Sequence, residues 1–122
     1  MSRVSPMDSE EMKMIHVATV KPSGSPHVVP VLALYYDGKI YFAADRRSVK
    51  VKNILNNNNV AAISADGYRA VIIEGKARIL SEEEVTNKIA DMFREKHPWR
   101  PRFERRSTQV LVEITTQKIM KV

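Results

Sequence analysis

The chain has 122 residues, a length typical of one domain, and we expect residues 1–122 to form a single unit. Its composition is that of an ordinary globular protein, and no apolar run approaches the roughly 20 residues that span a bilayer. The absence of cysteine excludes disulfides, thiolate metal sites and cysteine nucleophiles. Residues 1–6 carry no apolar core of signal-peptide length, so we expect a cytoplasmic protein with no membrane partner.

The charge is strongly basic, with 20 Lys and Arg against 14 Asp and Glu, a formal net charge of +6. Such a surplus favours anionic partners: nucleic acid, phosphate-bearing ligands or an acidic membrane surface. Two basic clusters stand out, although each is also explained as a solvated face: Arg46, Arg47, Lys50 and Lys52, and Arg94, Lys96, Arg100, Arg102, Arg105 and Arg106. Nucleic acid is disfavoured, because only Trp99 and Phe103 offer aromatic rings among the basic residues. The three histidines lack metal-ligand spacing on a helix, so no metal site is expected.

The N-terminal half predicts a short helix followed by strands. Ser5 and Pro6 precede three acidic residues, a helix start, and we expect this helix to end near Met14. Ile15 to Lys21 and His27 to Tyr35 are predicted strands, separated by a turn rich in Pro, Ser and Gly. The second strand is apolar on both faces, which predicts a homodimer that covers the outer face. Pro30 removes one ladder donor and predicts an edge or a bulge.

A hairpin and a helix follow. Asp37-Gly38 predicts a tight hairpin turn, and the next strand continues through Ala44. Helical spacing then places three apolar residues on one predicted buried face: Val51, Ile54 and Leu55. Asp45 or Ser48 can cap this helix, which ends at Asn56 to Asn59.

The C-terminal half predicts two strands, a helix and a closing strand. Val60 to Ala65 and Arg69 to Leu80 are predicted strands around an Asp66-Gly67 turn, with a bulge at Gly75. Ser81 and Glu84 form a capping box for a helix whose apolar stripe is Val85, Ile89, Met92 and Phe93. A basic loop from Pro98 to Ser107 leads into residues 108–122, which we expect to form one bent strand or two strands.

These elements predict a mainly β domain. Short hairpin links make the sheet mostly antiparallel, and about six strands in one domain favour closure into a barrel.

The turn after the third predicted strand has the chemistry of a phosphate site. A helix N-terminus presents unpaired N–H groups and a partial positive charge. Ser48 adds a hydroxyl, and Arg47 and Lys50 add full charges within the first turn. These groups suit a phosphate monoester, although the residues alone are explained slightly better by a capped helix with surface lysines.

An ordered set of motifs makes the chain resemble the pyridoxamine 5′-phosphate oxidase-like family of FMN-binding split barrels. The motifs lie between Ile15 and Leu80 and comprise IHVATV, GSPHVVPV, GKIYFAA, SVK followed by NI, and NNVA. The resemblance implies a six-stranded antiparallel split β-barrel of Greek-key type. It also implies a homodimer with a flavin in each of two clefts at the dimer interface.

The resemblance assigns residues to the cofactor. The strand residues that would line the flavin are His27, Val28, Val29, Pro30, Val31, Ala43 and Ala44. Ser48 and Lys50 would hold its phosphate, and either Arg47 or Arg46 would replace an arginine that oxidase members often have where this chain has Val49. The chain also lacks the terminal Arg-x-His element of the vitamin-making oxidases, so oxidation of a pyridoxal substrate is not expected.

The implied function is that of a small FMN-dependent reductase or oxidase, with hydride passing between the flavin and a small molecule or nicotinamide. No catalytic side chain is assigned, because the flavin ring itself accepts hydride. Three alternatives stay open: a reductase that uses the deazaflavin coenzyme, a non-catalytic flavin carrier, and a barrel that binds nucleic acid or another polyanion. The arginines between Arg100 and Arg106 are expected at the mouth of the cleft or on open surface.

Overall fold

The computed structural model of the protein describes residues 12–85, 89–91 and 108–122. The elements, in chain order, are β1 (Met12–Val20), β2 (Pro26–Tyr36), β3 (Lys39–Asp45), α1 (Val49–Asn56), β4 (Asn59–Asp66), β5 (Arg69–Ile79), a 3-10 turn (Glu82–Glu84) and β6 (Gln109–Lys121). Residues 89–91 are helical.

The strands close into one antiparallel barrel in the order β1-β2-β3-β6-β5-β4, with β4 pairing back to β1. Hairpins join β1 to β2, β2 to β3 and β4 to β5, whereas β6 enters between β3 and β5. The predicted mainly β, six-stranded antiparallel barrel is therefore confirmed, and the last segment is one continuous strand.

The hairpin turns use residues that tolerate a left-handed backbone. Asp37 and Gly38 between β2 and β3 have φ values of 54° and 75°. Two successive positive values are the requirement of a type I′ turn, for which Asp-Gly is a preferred pair. The sequence prediction at this position is confirmed.

The barrel is split between β2 and β3. Only Ala33 to Tyr36 of β2 pair with β3, whereas Pro26 to Leu32 pair with β1 alone. Beyond the point of separation, residues 43–45 of β3 continue along β6. Pro30 lies on this open edge, as its missing N–H predicts. The split leaves backbone groups of β2 without a neighbouring strand among the described residues.

Two apolar clusters lie on opposite sides of the sheet wall. The larger one fills the barrel and includes Ile15, Val17, Phe42, Val51 and Ile73. The second covers the outside of the wall and consists of Leu34, Tyr41, Leu80, Val85, Ile89 and Leu111. Val85 and Ile89 of the predicted stripe are therefore buried, but Ser81 opens a 3-10 turn that ends at Glu84, so Val85 does not lie in the predicted helix. Met92 and Phe93 lie outside the described residues.

A buried carboxylate links the outer cluster to the sheet. Glu113, only 6% exposed, accepts the Tyr41 hydroxyl at 3.0 Å and the Nε of Arg78 at 2.9 Å. Arg78 also pairs with Glu84, and the Ser81 N–H donates to Glu84 at 2.9 Å. Burial and the neighbouring Glu113 raise the pKa of Tyr41 well above its usual value. Three strands and the segment after Ser81 therefore meet at one satisfied polar contact.

Three predictions need correction or fall outside the description. Residues 12–14 belong to β1 and not to a helix that ends near Met14, and the rest of that predicted helix lies outside the described residues. Leu55 is 71% exposed, and Asn53 takes the buried position beside Val51 and Ile54 instead. A period of 3.6 residues allows either stripe, and contact with the barrel selects between them. The basic loop also lies outside the described residues.

Within the described ranges, no helix is long and apolar enough to cross a membrane.

Gly75 marks the predicted irregularity, where the pairing of β5 with β6 shifts register between Glu74 and Gly75. The unpaired extra residue is Gln117 of β6. A Cβ at Gly75 would stand 2.2 Å from the Thr115 carbonyl oxygen, a backbone atom of the facing strand. Close approach of two backbones therefore requires glycine here.

We expect Gly75→Ala to destabilise the protein by about 2–4 kcal/mol, because β5 and β6 must separate to admit the methyl group. Thermal unfolding followed by circular dichroism should show Tm lower by roughly 10 °C or more. Gly24→Ala is the matched control, since Gly24 has a positive φ and open space around it. Its cost should be only about 1–2 kcal/mol of backbone strain. Equal Tm values for the Gly75 variant and the parent would contradict the close approach.

Candidate functional site

The start of α1 is built by a local cap. Ser48 has an extended backbone and its Oγ accepts the Val51 N–H at 3.4 Å, while the Ser48 N–H donates to the Asp45 carbonyl at 2.9 Å. Ser48, and not Asp45, is therefore the N-cap. Because its Oγ accepts from the helix, its own proton is still available to a ligand.

The cap leaves two donors at the helix start. Of the four N-terminal N–H groups without intrahelical partners, those of Ser48 and Val51 are paired. No acceptor within the described residues pairs with the N–H of Val49 or Lys50. These two donors, the Ser48 hydroxyl and the positive end of the helix form a cradle for an anion.

The cations around this cradle are not equivalent. Arg47 is engaged by Asp45, with Nε 3.2 Å from Oδ1 and the terminal nitrogen 3.1 Å from Oδ2. The hydrogen bonds from Arg47 hold the pKa of Asp45 below its ordinary value, and Asp45 raises the pKa of Arg47. Lys50 and Lys52 form no ion pair in the part of the chain that the structure describes. Lys50 is therefore the cation that the first turn offers without breaking an ion pair.

The predicted flavin-lining residues of β2 follow the open edge of the split. Successive side chains of a strand point to opposite faces, so His27, Val29 and Val31 point toward the barrel. Val28 and Pro30 are exposed on the outer face. The edge between these faces carries the backbone N–H and C=O groups that no strand covers among the described residues. Such an edge can hydrogen-bond the rim of a flat heteroaromatic ring.

The two alanines predicted at the site lie at the end of β3, past the point where β3 leaves β2. Ala44 is buried in the barrel cluster, and Ala43 packs against the outer cluster. Because both side chains are small, β3 projects little beside the split.

Two residues that sequence reasoning missed connect these parts. Asn53 of α1 donates its Nδ2 to Thr19 Oγ1 at 3.0 Å, and both side chains are buried. Thr19 is the cross-strand partner of His27. At about 1.5 Å per residue, Ser48 lies roughly 7.5 Å along the helix axis from Asn53. The bond thus attaches α1 to β1 at the residue that pairs with His27 of β2. An Asn on an otherwise apolar helix stripe was the available signal.

The donor set fits a flavin phosphate joined to a ring. The helix start supplies several donors at once, Lys50 supplies a charge, and the neighbouring Asp45 is neutralised by Arg47. The open edge of β2 supplies directional groups and exposed apolar side chains for a ring. No group of three or more His, Asp or Glu among the described residues is arranged to hold a metal ion.

A separate cavity of about 530 Å³ lies between α1, the 3-10 turn and the start of β6. None of the ten predicted site residues lines it, and Arg46 is its single contribution from the basic turn. Gln109 also lines it, and the Gln109 Oε1 is buried without a hydrogen-bond partner among the described residues. The cavity is distinct from the predicted cofactor site.

Comparison with solved structures places the fold among known ones. General stress protein 26 from Bacillus anthracis shares 26% identity over 91% of this chain and 84% of its own, with a TM-score of 0.73. A pyridoxamine 5′-phosphate oxidase-related, FMN-binding protein from Nostoc punctiforme is 15% identical over 88% and 72%, with a TM-score of 0.72. An F420 reductase is 20% identical over 91% of each chain, with a TM-score of 0.74.

The family follows from the sequence. No curated protein matches the chain. The model of the family described as pyridoxamine 5′-phosphate oxidase matches residues 9–122, almost the whole length, and the split barrel with its capped helix is the architecture that the motif resemblance implied. The chain belongs to the pyridoxamine 5′-phosphate oxidase family.

Proposed function

We propose that this protein is an FMN-dependent oxidoreductase that binds its cofactor along the split between β2 and β3. The observation that carries the proposal is the start of α1, which holds the Ser48 hydroxyl, two backbone N–H groups and Lys50. These N–H groups and the Lys50 ammonium have no partner among the residues that the structure describes. That helix start is linked to the open edge of β2 through Asn53 and Thr19. Membership of the family and the FMN-binding protein from Nostoc punctiforme support the choice of cofactor.

In this proposal the chain binds and orients, and FMN supplies the hydride acceptor. Ser48, Lys50 and the helix N–H groups hold the phosphate, while the β2 edge hydrogen-bonds the rim of the ring. His27 and Val29, half-buried, and the exposed Val28 limit water around the ring. No side chain of the site is required as a nucleophile. The substrate would be a small molecule or a nicotinamide, and cytoplasmic location stays a prediction from sequence.

A second candidate cofactor is the deazaflavin coenzyme. The F420 reductase matches this chain over 91% of both lengths, so the two folds correspond almost throughout. The anionic tail of that coenzyme would also suit the exposed Arg46 and Lys52 near the helix start.

The absorbance spectrum of the purified protein tests the proposal directly. We expect the two-band spectrum of oxidised flavin, and mass spectrometry of the released chromophore should identify FMN. A single deazaflavin band would favour the second candidate. If the protein carries no chromophore and quenches no FMN fluorescence on titration, the proposed function is wrong.

Lys50→Ala should weaken FMN binding by about ten- to a hundredfold, because a charged hydrogen bond contributes roughly 1.5–3 kcal/mol. Ser48→Ala should cost less, since water can replace a neutral hydroxyl. Riboflavin, which lacks the phosphate, should bind the Lys50 variant and the parent almost equally in fluorescence titrations.

Lys52→Ala is the matched control, because Lys52 is exposed on the same helix. It should leave both affinities near those of the parent. Equal weakening of riboflavin and FMN in the Lys50 variant would show that Lys50 supports the fold and does not hold the phosphate.

We further propose that the protein is a homodimer with the cofactor at its interface. The outer face of β2, β1 and β4 is mainly apolar, and no described segment of the chain covers it: Met14, Val28 and Ile63 are exposed by 52%, 59% and 37%. Strand register joins them into one surface, since His16 pairs with both Pro30 and Ile63. This face borders the open edge of β2, so a second copy seated on it would also wall the cofactor cleft.

Light scattering at micromolar concentration should give the mass of a dimer. Ile63→Lys should shift the protein toward the monomer, because it places a charge in the apolar face. Tyr68→Lys should stay dimeric, since Tyr68 is fully exposed at the β4–β5 turn. A monomeric parent protein would overturn the proposal.

A further inference from the structure

Asn53 is a polar residue at a core position. It is 3% exposed and shares the buried side of α1 with Val51 and Ile54. Burial of an amide costs free energy unless it is hydrogen-bonded, and the described contact that compensates is the bond to Thr19. Val51 and Ile54 provide apolar packing, which is non-directional. The directional Asn53–Thr19 bond therefore fixes the rotation of α1 about its axis relative to the barrel.

The position of the bond matters because the split removes the ladder that would otherwise join this part of β2 to β3. Pro26 to Leu32 have no ladder to β3, and α1 follows β3 in the chain. Along this part of the sheet, the ring edge of β2 is linked to α1 through β1. Thr19 pairs with His27 on one side and accepts from Asn53 on the other.

Small rotations of α1 would move the side chains at the phosphate cradle. Side chains lie about 5–6 Å from a helix axis, so a rotation of about 20° displaces them by roughly 2 Å. Lys50 lies three residues before Asn53 and is therefore its neighbour on the helix surface. A displacement of that size exceeds the tolerance of a hydrogen bond to phosphate.

We propose that Asn53 and Thr19 are positioning residues that set the distance and angle between the phosphate cradle of α1 and the ring edge of β2. The inference rests on the proposed function, since it assigns a role to residues that touch neither phosphate nor ring. The pair lets one ligand bind the phosphate cradle of α1 and the ring edge of β2 at once. Without the pair, the cradle alone would still bind a phosphate and the β2 edge alone would still bind a ring.

The test compares FMN with riboflavin in variants that remove the bond. Thr19→Val and the double variant Thr19→Val/Asn53→Leu keep the approximate side-chain volumes. The affinity ratio of FMN over riboflavin should fall by about tenfold or more, because misplacement by an ångström can forfeit such a factor. Riboflavin affinity itself should stay near that of the parent. Thr19→Ser retains the hydroxyl and should retain the ratio.

The double variant separates positioning from stability. Replacement of both partners by apolar groups of similar shape can be nearly neutral for folding, so its Tm should recover relative to Thr19→Val. The FMN preference should not recover with it. Ser64→Ala, a change at another buried hydroxyl in β4, is the control and should keep the preference.

Two results would overturn the inference, and they are distinguishable. If the parent protein shows no preference for FMN over riboflavin, the proposed phosphate site fails and the positioning role fails with it. If the parent shows the preference and the folded double variant keeps it in full, only the role of Asn53 and Thr19 is wrong.

Discussion

The early end of the β2–β3 ladder governs the arrangement of this molecule. A closed barrel normally satisfies every strand edge, but here residues 26–32 of β2 face no strand of the described part of the chain on one side. Pro30 lacks an N–H, and the alternating faces of this segment carry apolar side chains. Beyond the end of this ladder, β3 continues along β6, and α1 packs on the barrel cluster through Val51 and Ile54. An edge that would otherwise invite aggregation becomes available to a ligand.

Buried polar contacts provide direction where apolar packing cannot. Glu113 accepts from Tyr41 and Arg78 on adjacent strands, and Arg78 extends the contact to Glu84 after the capping box. Removal of one partner would leave a buried charge uncompensated, which is costly. The segment after Ser81 is thereby held against the outside of the sheet. Both this contact and the Asn53–Thr19 bond join an element outside the barrel to a particular strand.

Local signals in the sequence predicted local structure well. The Asp37-Gly38 turn, the start of α1 and the positions of the strands along the chain needed only short-range rules, and the motifs identified the family. The exposure of Leu55 and the burial of Asn53 were not predictable, because periodicity does not say which stripe meets the barrel. The Arg47–Asp45 pair was missed for a similar reason: a run of cations does not reveal which one an acid already engages.

The location of β6 in the sheet has a consequence for synthesis. The last of the six strands to leave the ribosome lies between β3 and β5, so the nascent chain holds two unsatisfied edges until residues 109–121 emerge. Pairing over such long sequence separations is slow, and exposed edges are sites of intermolecular association. Closure of the barrel is therefore expected to wait for β6, and the edges of β3 and β5 are open to intermolecular association until then.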